Sequence, residues 1–207
     1  MIQRSIVSTV LRFYLAHVIT ICFAKLNTFH LSNKYSNMSQ AMDLLKELQL
    51  EAAVTRRYLE NVPFDRADYK PTEKSEALGR LAIHLAEIIA WWKDCITKSE
   101  LDFIDFEPKD INTNTELLNY FDSLLAEAES VLKSTKDEDL DKDWSMRHGD
   151  IVYFTLPKRQ VLRVFCMNHL VHHRAQLGVY LRLLNVNVPA TYGPSADDDN
   201  VILTNRY

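Results

Sequence analysis

Four stretches of the chain repeat their apolar residues at the period of an α-helix, and this pattern constrains the fold more than any other feature. Only four glycines occur in 207 residues, which disfavours glycine-rich phosphate loops and turn-rich β-sandwiches. This length suits one compact domain with a short appendage. The helices are predicted at about residues 39–61, from Ser75 to about Thr97, at about 113–134, and from Pro157 to about Asn185. The sequence therefore predicts an all-α protein built of four helices.

The segments between the predicted helices add detail to this fold. The connection between the second and third helices is long enough for a crossover rather than a simple hairpin. Between the third and fourth helices, the stretches DKDWSM and DIVYF flank Gly149 and predict a small β-hairpin. The acidic run from Lys136 to Asp143 is interpreted as a solvated loop. The segment after the fourth helix is rich in turn residues and is predicted to be irregular.

Residues 1–37 differ in composition from residues 38–207, which form the predicted bundle domain. No acidic residue precedes Asp43, and the run from Ile6 to Ala24 is long enough to span a bilayer, although Arg12 and His17 interrupt it. Three interpretations stay open: a mis-assigned start upstream of Met38, a signal or anchor, or a structured part of the fold. A native start at Met38 implies a cytoplasmic protein, whereas a native extension implies a membrane-anchored or exported one.

Charge and cysteine content exclude two classes of protein. The net charge of −4 is too mild for electrostatic capture of nucleic acid, so no nucleic-acid partner is expected. Cys22, Cys95 and Cys166 are too few and too scattered for a disulfide framework. The thiols are therefore expected to be free.

Three histidines fall on the apolar faces of two predicted helices. His169 and His173 are four residues apart on the fourth helix, and His84 lies on the second. An unpaired buried polar group costs about 1–3 kcal/mol, and a divalent metal would satisfy all three imidazoles at once. The alternative is hydrogen-bonded core histidines. His172 and Arg174 point away from this face and are left outside the predicted site.

Several neighbouring residues carry alternative interpretations. Cys166 lies one turn before His169 and is either a fourth ligand, a reactive thiol or a small buried hydrophobe. Tyr180 lies two turns beyond His173 and is either a general acid or part of a pocket wall. Trp91 and Trp92 are expected in the core, with one of them able to wall a pocket beside His84. No residue is assigned as catalytic.

Three motifs together resemble the DinB-like superfamily of four-helix-bundle metalloproteins, over about residues 39–199. They are HLAEIIAWW at 84–92, NHLVHHRAQLGVYLRLL at 168–184 and NVPATYGPSADD at 187–198. The resemblance implies an up-down-down-up bundle. It also implies a histidine triad that binds a divalent metal, and the matching positions are His84, His169 and His173. Residues 1–37 have no counterpart in the family pattern.

The resemblance also implies classes of activity. Characterised relatives include thiol-dependent S-transferases and isomerases, and others are described as metal-dependent hydrolases. The expected cofactor is a divalent metal, with zinc as first choice and nickel, iron or manganese as alternatives. The expected partners are a small-molecule substrate, a low-molecular-weight thiol and a second copy in a homodimer, with a membrane disfavoured. Three hypotheses follow: a metal-dependent transferase or hydrolase, a non-catalytic metal-binding stress-related protein, and a membrane-tethered interaction module.

Overall fold

The computed structural model describes residues 39–201, which form a bundle of four helices with a small sheet. The predictions for residues 1–37 lie outside the described residues. Within residues 39–201, no helix has the length and apolarity that a membrane span requires. The helices are α1 (Gln40–Glu60), α2 (Leu78–Thr97), α3 (Asn114–Ser134) and α4, whose three stretches are Lys158–Gln160, Val161–Met167 and Asn168–Leu183.

Local capping interactions fix the starts of α1 and α3, and both helices match their predicted bounds within one residue. The Ser39 side chain accepts a hydrogen bond from the third backbone N–H of α1. Thr113 and Glu116 form a reciprocal capping box at α3. The Asp137 carboxylate accepts two further N–H groups at the start of α1. Short-range sequence signals therefore mark both helix starts, and the distant Asp137 adds to the local cap at α1.

Helix α2 begins at Leu78, three residues later than the predicted start at Ser75, and its N-cap residue Ala77 forms no side-chain hydrogen bond to the helix. Its first N–H groups are satisfied by backbone: Leu78 donates to the Tyr69 carbonyl and Gly79 to the Ala67 carbonyl. A Cβ on Gly79 would lie 3.0 Å from the Cβ of Ala67, so glycine permits this close approach. The turn that contains Ala67 and Tyr69 therefore replaces a side-chain cap, and no sequence pattern near Leu78 predicts this.

Helix α4 begins one residue after Pro157, which is the last residue of a strand, and it ends at Leu183 rather than near Asn185. Asn185 has φ of 56°, a left-handed conformation that terminates helices. The middle stretch, Val161–Met167, has π-helical hydrogen bonding, which the sequence pattern does not predict. Stretches of this kind occur frequently at functional sites.

The sheet contains three strands, β1 (Glu100–Asp102), β2 (Asp143–His148) and β3 (Ile151–Pro157). The predicted hairpin is confirmed as the antiparallel pair β2–β3, with Gly149 at φ of 58° in its turn. The parallel strand β1 lies in the long connection after α2 and was not predicted. The acidic run contains a short 3₁₀ helix, Asp137–Asp141, with Leu140 buried in the core. The interpretation of this run as a solvated loop is therefore wrong at Leu140.

Apolar residues of all four helices meet in one core, which confirms the four-helix bundle. Helix α1 packs against α3 and α4, and α2 packs against the same two helices. The apolar face of α3 supplies fully buried side chains at Leu117, Phe121, Ala128 and Leu132. The contact between α2 and α4 is the one that positions the three histidines.

Candidate metal centre

The three histidines predicted as metal ligands converge between α2 and α4. The ring centroid of His84 lies 5.3 Å from that of His169 and 4.8 Å from that of His173. One ligand nitrogen from each residue lies within 4.8 Å of the other two. The Nε2 atoms of His169 and His173 are 2.7 Å apart, as the four-residue spacing on one helix allows. All three residues are half-buried.

Two of the three imidazoles have an acceptor three residues further along the same helix. His173 Nδ1 donates to Gln176 Oε1 at 2.7 Å, and His84 Nδ1 lies 3.5 Å from Glu87 Oε2. Each pair fits the spacing H-x-A-[EQ], HLAE on α2 and HRAQ on α4. An acceptor on Nδ1 fixes the tautomer that leaves Nε2 unprotonated. Glu87 and Gln176 were not singled out from the sequence, although their spacing was visible there.

Glu87 is a buried carboxylate held from three directions. Arg80 donates to Oε2, the Lys109 backbone N–H donates to Oε1, and His84 faces Oε2. Burial raises the pKa of Glu87, but the interactions with His84 and Arg80 outweigh it and leave the pKa below its usual range. Glu87 is therefore ionised at neutral pH and places a negative charge beside the histidine cluster.

Burial keeps two of the imidazoles neutral. It lowers the pKa of His169 to about 4, with further lowering by the neighbouring histidines and a smaller opposing effect from the Phe165 backbone. Burial also lowers the pKa of His173, and the interaction with Gln176 opposes it in part. Neutral imidazole is the form that binds metals. At neutral pH, His169 and His173 are therefore in the form that a divalent metal requires.

Aromatic side chains cover one side of the histidine cluster. Trp91 stacks on Phe165 with ring centroids 4.8 Å apart, and its ring lies 5.5 Å from that of His84 and 5.4 Å from that of His169. Trp92 is fully buried in the core instead. Of Trp91 and Trp92, Trp91 is thus the one that lies beside His84. Its ring and that of Phe165 shield His169 from water.

Neither described cysteine joins the histidine cluster. Cys166 is fully buried, and burial raises the pKa of its thiol well above the ordinary value. Burial also raises the pKa of Cys95 to about 12. Both thiols are free and protonated at neutral pH. The interpretation as small buried hydrophobes therefore fits them, and Cys166 is absent from the group of potential ligands found in residues 39–201.

Tyr180 and His172 lie outside the cluster. The Tyr180 hydroxyl donates to the Glu76 carbonyl, so it joins α4 to the loop before α2 rather than facing the histidines. His172 is exposed, and its ring centroid lies 4.9 Å from that of His173. The helical phase assigned from the sequence therefore separates His173 from His172 correctly.

Arg174 faces away from the histidines, as expected, but it is buried rather than exposed, with 2% of its side chain accessible. Its guanidinium donates to Glu51, to the Thr55 hydroxyl and to the Tyr192 hydroxyl, which in turn donates to Glu51. This network ties α4 to α1 and to the segment that follows α4. Helix α4 therefore has two buried sides. One carries the Arg174 network and packs against α1, and the other carries His169 and His173 and packs against α2.

A cleft of about 710 Å³ opens beside the cluster. His84 and His173 form part of its wall, so two of the three imidazoles face a space of the size that small-molecule sites occupy. The remaining wall residues come from the loop before α2, from α2 and from α4. They are Pro71, Lys74, Ser75, Glu76, Arg80, Leu81, Gln176, Val179 and Tyr180.

These features define a four-helix-bundle protein with a candidate metal centre of three imidazoles at the side of a cleft. The sequence matches the DinB family over residues 37–203, and the chain belongs to that family. It is 26% identical over 163 residues to YrdA of Bacillus subtilis, which is described as uncharacterized. The aligned region covers 78% of this chain and 93% of YrdA.

Two solved structures share the fold. A DinB-like protein of Bacillus subtilis, YjoA, has a TM-score of 0.55 and 20% identity, with coverage of 69% of this chain and 92% of YjoA. A DinB-like protein of Bacillus cereus ATCC 10987 has a TM-score of 0.54 and 19% identity, with coverage of 71% of this chain and 94% of that protein. At these identities the likeness concerns the fold.

Proposed function

We propose that this protein is a divalent-metal-dependent enzyme that activates a thiol, or alternatively water, for transfer or hydrolysis. The convergence of His84, His169 and His173 at the wall of a cleft carries the proposal. These residues would hold the metal through Nε2, with zinc preferred over nickel, iron or manganese. The bound metal supplies a Lewis acid that lowers the pKa of a thiol or water and gives a nucleophile near neutral pH.

The surrounding residues have separate tasks in this proposal. Glu87 and Gln176 hold the Nδ1 protons of His84 and His173, which orients both Nε2 lone pairs. Trp91 and Phe165 pack against the ring of His169. The cleft admits the substrate to His84 and His173. The residues that perform these tasks lie on α2 and α4 and, for the cleft wall, also in the loop before α2.

The open cleft favours an enzyme over a closed structural or sensory site. A structural site holds a fourth protein ligand, whereas a catalytic site keeps a position for substrate. Among residues 39–201, no cysteine or carboxylate joins the three histidines as a fourth potential ligand. Glu87 is already engaged by Arg80 and by the Lys109 backbone. The three imidazoles therefore leave room for an exogenous ligand.

The first test is element-resolved metal analysis of the full chain, purified without a His-tag and without chelators. We expect close to one transition metal per chain, lost in the His84→Ala and His169→Ala variants. His172→Ala is the matched control because its imidazole is next to the site but exposed. Chains without metal, unchanged in stability when zinc, nickel or manganese is added, would remove the basis of the proposal.

The second test asks whether the metal accepts a thiolate. Cobalt-loaded protein titrated with 2-mercaptoethanol is expected to develop a sulfur-to-cobalt charge-transfer band in the near ultraviolet. The same protein is expected to accelerate the reaction of that thiol with 1-chloro-2,4-dinitrobenzene, in which a carbon–sulfur bond forms, chloride leaves and the thiol proton passes to solvent. A bound metal with neither the band nor the acceleration would favour the non-catalytic hypothesis.

A further inference from the structure

Exposed apolar side chains are concentrated at the end of the sheet that carries the β2–β3 turn. Ile151, Val152 and Tyr153 are consecutive residues of β3, and each is more than half exposed. A strand with one face in water alternates polar and apolar residues, so three exposed apolar residues in succession are unusual. Ile104 and Phe106 lie in the loop after β1 and are also exposed. We name these five residues the hairpin patch.

The loop and the hairpin turn are fixed against each other. The Asp102 carboxylate accepts the backbone N–H of Ile104 in the loop and that of Gly149 in the turn. A Cβ on Gly149 would lie 3.2 Å from Ile104 Cδ1, so the Ile104 side chain lies against the turn. The ring of Phe106 packs against that of Phe103, with centroids 5.7 Å apart. The hairpin patch is therefore a preformed surface, and a partner can bind it without first ordering it.

Acidic residues surround the hairpin patch. Residues 100–107 and 147–153 contain one guanidinium, that of Arg147, and five carboxylates, those of Glu100, Asp102, Asp105, Glu107 and Asp150. Arg147 lies 3.5 Å from carboxylate oxygens of the first two. The other three carboxylates are exposed, and none of them forms an ion pair with a residue of 39–201. The rim of the patch is therefore negatively charged.

The apolar centre and the acidic rim together indicate which partner fits. Exposed apolar patches with a polar rim mark interaction sites. A second copy of this chain would bring the same carboxylates into a symmetric contact, and an anionic lipid surface would bring phosphates, so like charges would repel in both cases. A protein segment with apolar side chains flanked by lysine or arginine would cover the patch and pair with the rim.

We propose that the hairpin patch is a docking site for a basic segment of a partner protein. The apolar side chains of that segment cover the patch, and its cations lie beside Asp105, Glu107 and Asp150. The proposal goes beyond the proposed function and is independent of it, because none of the three histidines of the metal centre takes part in the contact.

The test measures the binding of three fluorescein-labelled peptides to the full chain by fluorescence anisotropy. The peptide KVKYKVKYKV carries both features, KSKSKSKSKS carries only the positive charge, and EVEYEVEYEV carries the apolar residues with the opposite charge. We expect the first peptide to bind about ten-fold more tightly than either of the others. The burial of one valine-sized side chain is sufficient for that factor.

Two variants of the patch locate the contact. The double variant Ile151→Thr, Val152→Thr keeps β-branched side chains but removes apolar surface, and Asp150→Asn keeps a turn residue but removes a charge. We expect each to weaken the binding of KVKYKVKYKV about three-fold or more. Leu183→Gln and Asp68→Asn are the matched controls. Both residues are exposed and lie where α4 ends beside the loop before α2, at the other end of the bundle, so the affinity should stay unchanged.

Equal affinities for KVKYKVKYKV and KSKSKSKSKS would overturn the inference, as would the absence of binding at about 1 mM. Losses of equal size in the controls and in the patch variants would also contradict it. Light scattering and co-sedimentation with phosphatidylcholine vesicles test the other occupants. A dimer, or binding to vesicles, that the double variant abolishes would assign the patch to a second copy or to a lipid surface and overturn the proposal.

Discussion

At His84 and His173 the same arrangement of side chains recurs, with an acceptor three residues further along the helix facing Nδ1. The two acceptors differ in charge, since Glu87 is ionised and Gln176 is neutral. A carboxylate on Nδ1 raises the basicity of the imidazole more than an amide does. We therefore expect His84 to bind the metal more strongly than the other two histidines. The strength of this bond is expected to depend on Glu87.

Replacing Glu87 tests this dependence. Glu87→Gln keeps the size of the side chain but removes the charge facing His84, so we expect metal affinity to fall about 10- to 100-fold. Competition with a chromophoric chelator measures the change. Glu73→Gln, an exposed glutamate in the loop before α2, is the control. Equal affinities in Glu87→Gln and the parent chain would mean that Glu87 serves only to pair with Arg80.

The lowered pKa of His169 makes the stability of the metal-free chain depend on pH. The folded chain holds this imidazole at a pKa of about 4 against an ordinary value of 6.5, so the unfolded chain binds the proton first. The free energy of unfolding should fall by on the order of 2–3 kcal/mol as the pH drops from about 6.5 to about 4.

Urea unfolding at a series of pH values, after treatment with a chelator, measures the slope of the free energy of unfolding against pH. His169→Gln should flatten the slope, and His172→Gln should retain it because His172 is exposed. An identical slope in His169→Gln and the parent chain would assign the pH dependence to other groups.

Helical phase explains which site residues the sequence could reveal. The 100° step places His84, His169 and His173 on inward faces and separates His172 from them, as the structure does. The acceptors Glu87 and Gln176 were missed because a single polar residue near a histidine is common on any helix. The burial of Arg174 was missed because it depends on α1 packing against the second side of α4.

At the scale of the elements, α4 and the segment after it are anchored to α1. Residues 187–200 form no helix or strand, as predicted. They are held by the Tyr58 hydroxyl, which donates to the Pro189 carbonyl, and by Arg57, which pairs with Asp198. Arg174 and Tyr192 add the buried network described above. This irregular segment therefore owes its conformation to side chains of α1 and α4.

Removing Arg174 should destabilise this junction strongly. Arg174→Met leaves the Glu51 carboxylate without its buried partner, and the expected loss is about 3–5 kcal/mol in the free energy of unfolding. Arg163→Met is the control on the same helix, because its ion pair with Glu47 is exposed and worth about 1 kcal/mol or less. Urea unfolding measures both. Similar losses in the two variants would contradict the role assigned to the buried network.

Element boundaries were predictable where the interactions that set them are local. The capping residues of α1 and α3 lie within three positions of the helix start, so the sequence reports them. The start of α2 depends on carbonyls of residues nine to twelve positions away, and a three-residue β1 is too short to show a pattern. The π-helical stretch of α4 could not be predicted, because its mostly apolar residues would suit an α-helix equally well.

At the scale of the whole molecule, the candidate metal centre joins two helices that carry much of the core. A ligand that binds only the folded chain stabilises it by about 2.7 kcal/mol at 100 times its dissociation constant. For a domain of this size we expect zinc or nickel to raise the Tm by roughly 5–10 °C at that excess.

Thermal unfolding with and without metal measures this shift. His172→Ala should retain the Tm shift. His84→Ala should abolish it, because the metal would lose the ligand that α2 supplies. A shift that persists in His84→Ala would place the stabilising metal elsewhere.

The separation of the ligands along the chain has a consequence for the order of folding events. His84 precedes His169 by 85 positions, whereas His169 and His173 share one turn of α4, the last of the four helices to be synthesised. A three-ligand site therefore exists only after α2 and α4 have docked, which we expect to follow the rate-limiting step of folding. Metal bound there should prolong the lifetime of the folded chain by slowing its unfolding and leave the rate of folding almost unchanged.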